Sequence, residues 1–353
     1  MQKGKLFTIV VPVYNVERFL EQCLDSLADQ TDKCFSVVLV NDGSTDSSGD
    51  IARKYAAAMP ELFSLVDQEN RGPGAARNAA LKLVDSPYVT FLDSDDWWPV
   101  RNAEIASRYL QSEPSPDIVF TCPTVYDMDL HVYREWNDTA LIKGIFERNG
   151  SCLSPETSPE LYGTEASLCR AFFRTQMLRE HDFSFPEGIK WEDVAPHFQL
   201  ISWARRCVLA EDVGFVYRVN SGNQTTSTTG ADRLDIDKAF RPAFDYAVEN
   251  GWDMPSRAYL FQMLMSFVWW FFDSTGKAFF SALIDKLHAF ANEIPNSFFK
   301  AYCTVLDPSK RDRFLWRSLK SPVLYRMLRT PEKFYRTKGL FRRLKHIKHK
   351  LLG

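Results

Sequence analysis

Four short apolar runs divide the first hundred residues, and a polar cluster follows each. "LFTIVVPVYN", "FSVVLVNDGSTD", "LFSLVDQ" and "YVTFL" have the length and β-branched or aromatic content of buried strands. Pro12 is expected to stop the first. Helical spacing fills the gaps. From Val16 to Ala28, Phe19, Leu20, Cys23, Leu24 and Leu27 fall on one face. Ser47 to Ala58 reads as a second helix, and "GPGAARNAALKLV" as a glycine turn feeding a third. Alternation of this kind predicts βαβ units and a mostly parallel sheet. Ligands of such sheets sit beyond the carboxyl ends of the strands, where strand order reverses. The polar clusters fall at those ends: Asp42, then Asn70 and Arg71, then Asp93, Asp95 and Asp96.

After Val100 the pattern loosens. "DIVFTC" and "LHVYREW" read as further strands, residues 163–223 as mixed, and 231–309 as mainly helical. The longest apolar stretch, Ala258 to Phe272, contains Gln262 and is shorter than the roughly 18–20 residues a bilayer span needs, so it reads as a buried helix. Three regions are expected: a first domain over 1–228, a helical region over 229–309, and a basic, partly amphipathic tail over 310–353.

Composition adjusts this picture in two places. Hydrophobic residues make up 45% of the 353, which excludes wholesale disorder. The net charge of −2 conceals a split. From Lys310 onward there are fifteen Lys or Arg and two acids, so that stretch carries +13 and the rest −15. Seven cysteines without a CxxC pair argue against a disulfide framework and for a reducing compartment. "MQKGKLFTIVVPVYN" has no signal-peptide pattern.

Four clusters carry candidate chemistry. In an extended segment Asp93 and Asp95 project to the same side and suit one hard cation, Mg²⁺ or Mn²⁺. The competing reading is a turn, with Asp96 capping a helix near Pro99. Asp42 is placed to accept from a base or ribose, or else serves a turn. Gly72 and Gly74 let backbone pass close to a ligand, and the helix after them favours anions. Arg77, early in that helix, suits a diphosphate or an adjoining carboxylate. Glu192 and Asp193 either cap a helix or include a general base. His197 is a metal ligand or a buried structural histidine. Phosphate-loop, dinucleotide, HExxH and GxSxG signatures are absent.

In order and spacing, "TIVVPVYNVERFLEQCLDSL", "VVLVNDGSTDSS", "NRGPGAARNAAL", "YVTFLDSDDWW", "FPEGIKWEDV" and "VYRVN" resemble the family-2 glycosyltransferases of the GT-A fold, of the type that builds bacterial cell-surface polysaccharide. The resemblance covers Leu6 to Thr226. It implies an α/β GT-A fold, a Rossmann-like mostly parallel sheet flanked by helices, with a helical C-terminal region. It also implies an inverting, metal-dependent hexosyl- or N-acetylhexosaminyltransferase using a nucleotide-sugar donor, usually UDP-linked, and Mn²⁺ or Mg²⁺. Pro12, Val13 and Tyr14 would line the base pocket, and Asp42 would meet the uracil or ribose. Asn70 and Arg77 would hold the nucleotide and position the metal-binding acids. Asp93 and Ser94 would lie on the donor side, with Asp95 the main metal ligand and Asp93 beside it. Asp193 would be the base and Glu192 its orienting neighbour. Arg218 is assigned a phosphate or loop contact only. The family's Ser-x-Thr pattern has no clear register in "YRVNSGNQTTST".

Two other classes compete: a sugar-nucleotide-binding or assembly protein without turnover, and a nucleotidyltransferase with a similar sheet, whose glycine-rich N-terminal loop "VPVYN" replaces. The implied acceptor is a glycan or lipid-linked oligosaccharide, and no nucleic-acid partner is expected. In the tail, Leu340, Leu344, Ile347 and Leu351 form one helical stripe flanked by Arg342, Arg343, Lys345, Lys348 and Lys350. Residues 331–353 thus read as an anchor to an anionic membrane surface, or as a segment docked on the acidic body. The expected place is the cytoplasm, peripheral at the inner face of the cell membrane.

Overall fold

Strand β1, Phe7–Val13, is an interior strand of a seven-stranded sheet. The computed structural model describes residues 4–221 and 230–329. The other strands of this sheet are β2 (Phe35–Asp42), β3 (Phe63–Gln68), β4 (Tyr88–Phe91), β5 (Ile118–Thr121), β8 (Ala171–Arg174) and β9 (Cys207–Ala210). The order is 3-2-1-4-8-5-9, parallel except for β8, which runs antiparallel between β4 and β5. Order reverses between β1 and β4. β6 (Thr124–Asp127), β7 (Val132–Glu135) and β10 (Val216–Val219) form a second sheet in the order 10-6-7. The chain divides into two units, Met1–Ser227 and Thr228–Gly353.

The early helices follow the sequence pattern. α1, Glu17–Ala28, buries Phe19, Leu20, Cys23, Leu24 and Leu27, the predicted face. α2 is Ser48–Ala58, and α3, Pro73–Leu81, starts from Gly72 at φ +88°. α4 (Asn102–Leu110), α5 (Thr139–Asn149), α6 (Thr175–Glu180) and α7 (Val194–Trp203) complete the first unit. Phe7 and Phe35 stack at 5.3 Å, and Phe172 meets Phe7 edge-on at 5.2 Å. Each such ring is worth roughly 1.5–3 kcal/mol of burial.

Pro12 does not stop β1. β4 pairs with β1 only as far as Val10, where Leu92 N–H donates to the Val10 carbonyl at 3.0 Å. Two residues on, the proline's missing N–H faces the side where that ladder has ended, and β2 still pairs on the other.

The second unit is helical: α8 (Ile236–Glu249), α9 (Met254–Ser274), α10 (Lys277–Glu293), α11 (Asn296–Val305), α12 (Lys310–Lys320) and α13 (Leu324–Leu328). α9 contains the long apolar run. Its Ala258, Leu260, Phe261, Leu264, Val268, Phe271 and Phe272 are buried, and no described helix is long and apolar enough to cross a membrane. The stretch read as a tail from 310 begins as packed helix, with Leu315, Trp316 and Leu319 buried. The amphipathic stripe at 331–353 lies outside the described residues.

Candidate active site

The site is built where β1, β2 and β4 end. The loops after β1 and β2 cap each other: Val16 N–H donates to Ser48 Oγ at 2.8 Å, Thr45 N–H to Asn15 Oδ1 at 2.8 Å, and Ser47 N–H to Glu17 Oε2 at 2.9 Å. Val13 is buried, Pro12 half-buried and Tyr14 49% exposed. Val13 and Tyr14 therefore stand at a fixed rim beside the end of β2.

Asp42 closes β2 and is buried. Its Oδ1 accepts from Gln68 Nε2 (2.7 Å) and Arg71 N–H (2.9 Å), and its Oδ2 from Gly72 N–H (2.8 Å). A carboxylate has about four acceptor positions, so three are spent on shaping the turn into α3 and one remains. Asn70 is exposed beside Gly43, whose φ is +69° and where an added Cβ would meet Asn70 N at 2.8 Å.

α3 then brings in a distant segment. An added Cβ at Gly74 would lie 2.2 Å from the Pro186 carbonyl oxygen. Its missing side chain admits that protein segment rather than a ligand. Asn78 fixes the crossing by donating to the Phe185 carbonyl (3.0 Å) and accepting from Phe185 N–H (2.7 Å). Seven residues after Phe185 comes Glu192, followed by Asp193. Arg77, buried over the Phe185 ring, donates through Nη1 to Glu192 and through Nη2 to Asp93 at 2.8 Å. One guanidinium thus joins two acidic motifs about a hundred positions apart in sequence. Of the two uses expected for Arg77, the adjoining carboxylate is the one present.

Residues 93–96 are not extended. Asp96 N–H donates to the Asp93 carbonyl at 3.0 Å, closing a turn, so the alternation argument for Asp93 and Asp95 does not hold there. Charge still couples the pair. Burial, then Asp93, pushes the Asp95 carboxyl up to about 6. Ser94 is buried between them. Asp96 is not a helix cap: α4 begins at Asn102, and fully buried Asp96 accepts from Arg218 N–H at 2.8 Å. Of the two contacts assigned to Arg218, the one to a loop is present. Arg218 is buried under the turn, donating to the Asp95 carbonyl (2.7 Å) and to Gln22 Oε1 (2.8 Å).

Asp193 occupies the N-cap of α7, but its side chain makes no capping hydrogen bond. Burial, followed by the charge of Glu192, holds its carboxyl well above the ordinary range. Glu192 itself is tied to Arg77. Trp191 at φ +62° sets the approach to the pair. Pro196 is the third residue of α7, where its missing N–H costs no helical bond. His197 is buried, 3.3 Å from the Tyr162 carbonyl, with burial lowering its pKa to about 4; it is structural.

The sequence reading missed the Arg77–Glu192 pair and the depth of Arg218. The available signal for each was its small or apolar neighbours: Arg77 follows "GAA" in a helix, and Arg218 lies inside the alternating strand "FVYRV". Among the described residues no group of three His, Cys, Asp or Glu is placed to hold a metal. Asp93 and Asp95 offer hard oxygens only, a donor set that fits Mg²⁺ or Mn²⁺ completed by water or phosphate.

Comparison with known proteins agrees with this architecture. Residues 8–175 match the family model described as glycosyl transferase family 2. The poly(ribitol-phosphate) beta-N-acetylglucosaminyltransferase TarS of Staphylococcus aureus is 30% identical over 67% of this chain and 39% of its own length. The uncharacterized glycosyltransferase EpsJ of Bacillus subtilis is 28% identical over 62% of this chain and 63% of its own. The chain spans less than two thirds of either relative. The crystal structure of S. aureus TarS 1-349 in complex with UDP-GlcNAc superposes with a TM-score of 0.70 at 22% identity, covering 94% of this chain and 92% of that one. It has the same GT-A fold. With its motif residues gathered at one end of that sheet, this chain carries a glycosyl transferase family 2 region over residues 8–175.

Proposed function

We propose that this protein moves a sugar from a UDP-sugar donor to a hydroxyl of a glycan acceptor, with inversion, during synthesis of a bacterial surface polymer. The observation that carries the reading is Arg77, which holds Asp93 and Glu192 together; Asp193, next to Glu192 and within reach of the Asp93 charge, supports a base near the donor-side acids. Sugar transfer needs charge neutralisation at the leaving diphosphate and removal of a proton from the attacking hydroxyl. Two acidic groups in different electrostatic states meet those needs.

The division of labour follows from the environments. Val13 and Tyr14, with Pro12, border the base, and the remaining acceptor position of Asp42 takes a base N–H or a ribose hydroxyl. Asn70, at the turn that Asp42 shapes, adds a donor-side contact. Asp95 and Asp93 would hold Mn²⁺ or Mg²⁺, which when bound supplies Lewis-acid neutralisation of the diphosphate. Ser94 stays between them as part of the donor wall. Asp193, its proton affinity raised by burial and by Glu192, takes the acceptor proton. A base positioned this way is typically worth about 10²–10⁴-fold in rate. Attack opposite the diphosphate inverts the anomeric centre. TarS carries UDP-GlcNAc in its crystal structure, which supports a UDP-linked N-acetylhexosamine or hexose donor here.

A lipid-linked acceptor at the inner membrane face fits the basic stretch 331–353. The direct test is calorimetric binding of UDP, GDP and CDP with Mn²⁺. UDP binding at least about tenfold tighter than the others is expected, a difference of 1.4 kcal/mol. No preference for UDP would overturn the donor assignment.

A further inference from the structure

Aromatic side chains form a row across the small sheet that the donor chemistry does not use. Register sets Arg218 on β10, Tyr126 on β6 and Tyr133 on β7 opposite one another, so their side chains share one face. The Arg218 guanidinium lies 4.6 Å from the Phe19 ring and 4.5 Å from the Trp97 ring. Trp97 meets Tyr126 edge-on at 5.6 Å, and Tyr126 lies 4.8 Å from Tyr133. Exposure rises along the row: Arg218 is buried, Trp97 and Tyr126 half-buried, and Tyr133 62% exposed.

The row is fixed to the acidic turn. Trp97 follows Asp95 and Asp96 directly and bridges to Val216, whose N–H donates to the Trp97 carbonyl at 2.8 Å. A surface of rings with hydroxyl rims, starting two residues from the donor-side acids, has the chemistry of a sugar: apolar ring faces edged by hydrogen-bonding groups. Pairing of β7 with a second copy fits less well. That strand is four residues long and carries Arg134 and Glu135, short and charged in the manner that blunts edge pairing.

We infer that Trp97, Tyr126 and Tyr133 are the acceptor platform. Pyranose rings of the acceptor glycan stack on this row, with the end to be extended at Trp97 and the rest of the chain running out over β7. The inference rests on the transferase reading above and names where its acceptor binds.

The test is calorimetry with cellotetraose, chitotetraose and a β-linked galactotetraose, on full-length protein saturated with UDP and Mn²⁺. At least one tetrasaccharide binds the wild type. Tyr133→Ala weakens it about tenfold, while Tyr133→Phe retains most of the affinity. UDP affinity, the melting midpoint and the sedimentation coefficient are the same in all three proteins. If UDP binds but no tetrasaccharide does, or if Tyr133→Ala binds as tightly as wild type, the platform is refuted and the donor site stands. If Tyr133→Ala changes the sedimentation coefficient, the row is a contact between copies. If UDP itself fails to bind, the transferase reading fails first.

Discussion

Arg77→Met removes the cation from between Asp93 and Glu192 while keeping an aliphatic side chain against Phe185. The loss is therefore electrostatic rather than a cavity. Glu192 is buried and would lose the cation it pairs with, and breaking a buried pair by deleting one member costs about 3–5 kcal/mol. The Asp93 side chain is 44% exposed, so solvent screens its share to under about 1 kcal/mol. For a unit of this size each kcal/mol moves the midpoint by about 2–4 °C, so the first unit should melt roughly 6–20 °C lower. Differential scanning calorimetry reads this directly. The double variant Arg77→Met/Glu192→Gln should recover at least about 1 kcal/mol over the single, because the charge left buried without its partner at position 192 is gone. A midpoint shift under about 3 °C, or a double variant less stable than Arg77→Met alone, would refute the idea that Arg77 holds the two acidic motifs together.

Other consequences are simpler to measure. Asp193→Asn should lower transfer by about 10²–10⁴-fold with UDP affinity unchanged; a parallel loss of UDP binding would mean Asp193 serves the donor instead. Because Asp95 is pushed up to about 6 without a cation, a proton competes with metal below that pH. Mn²⁺ affinity, followed by electron paramagnetic resonance, should therefore rise as pH increases through 6 and level off above it; a flat profile from pH 5 to 7 contradicts Asp95 as a ligand. Gly74→Ala should cost about 1–3 kcal/mol of stability, since the new methyl meets the Pro186 carbonyl. An unchanged melting curve would mean the 185–187 segment is not seated on α3.

The parts of the fold readable in advance are those with local causes. The α1 face was legible because burial repeats at helical spacing, and β1 to β4 because each is a short apolar run ending in turn residues. β6, β8 and β9 were not, being four-residue strands whose place is set by partners far along the chain. The same division holds at the site. Asp42, Asp93, Asp95 and Asp193 stand out where a strand ends or a helix begins. The Arg77–Glu192 bond spans 115 positions and depends on Gly74 giving way to Pro186, which no periodicity records. Pro12 and the turn at 93–96 misled for a related reason: strand continuation and side-chain direction there depend on where β4 ends, not on the residues themselves.

The central claim is that Asp193 removes the acceptor proton at a site whose donor side is built by Asp42, Asp93 and Asp95. UDP release from a panel of UDP-sugars, with Mn²⁺ and lipid-linked glycan acceptors, tests it most directly when wild type and Asp193→Asn are run side by side. The account predicts acceptor-dependent UDP release by the wild type for at least one donor, and none above background for the variant. Inert wild type with every donor, or equal turnover by Asp193→Asn, would contradict it.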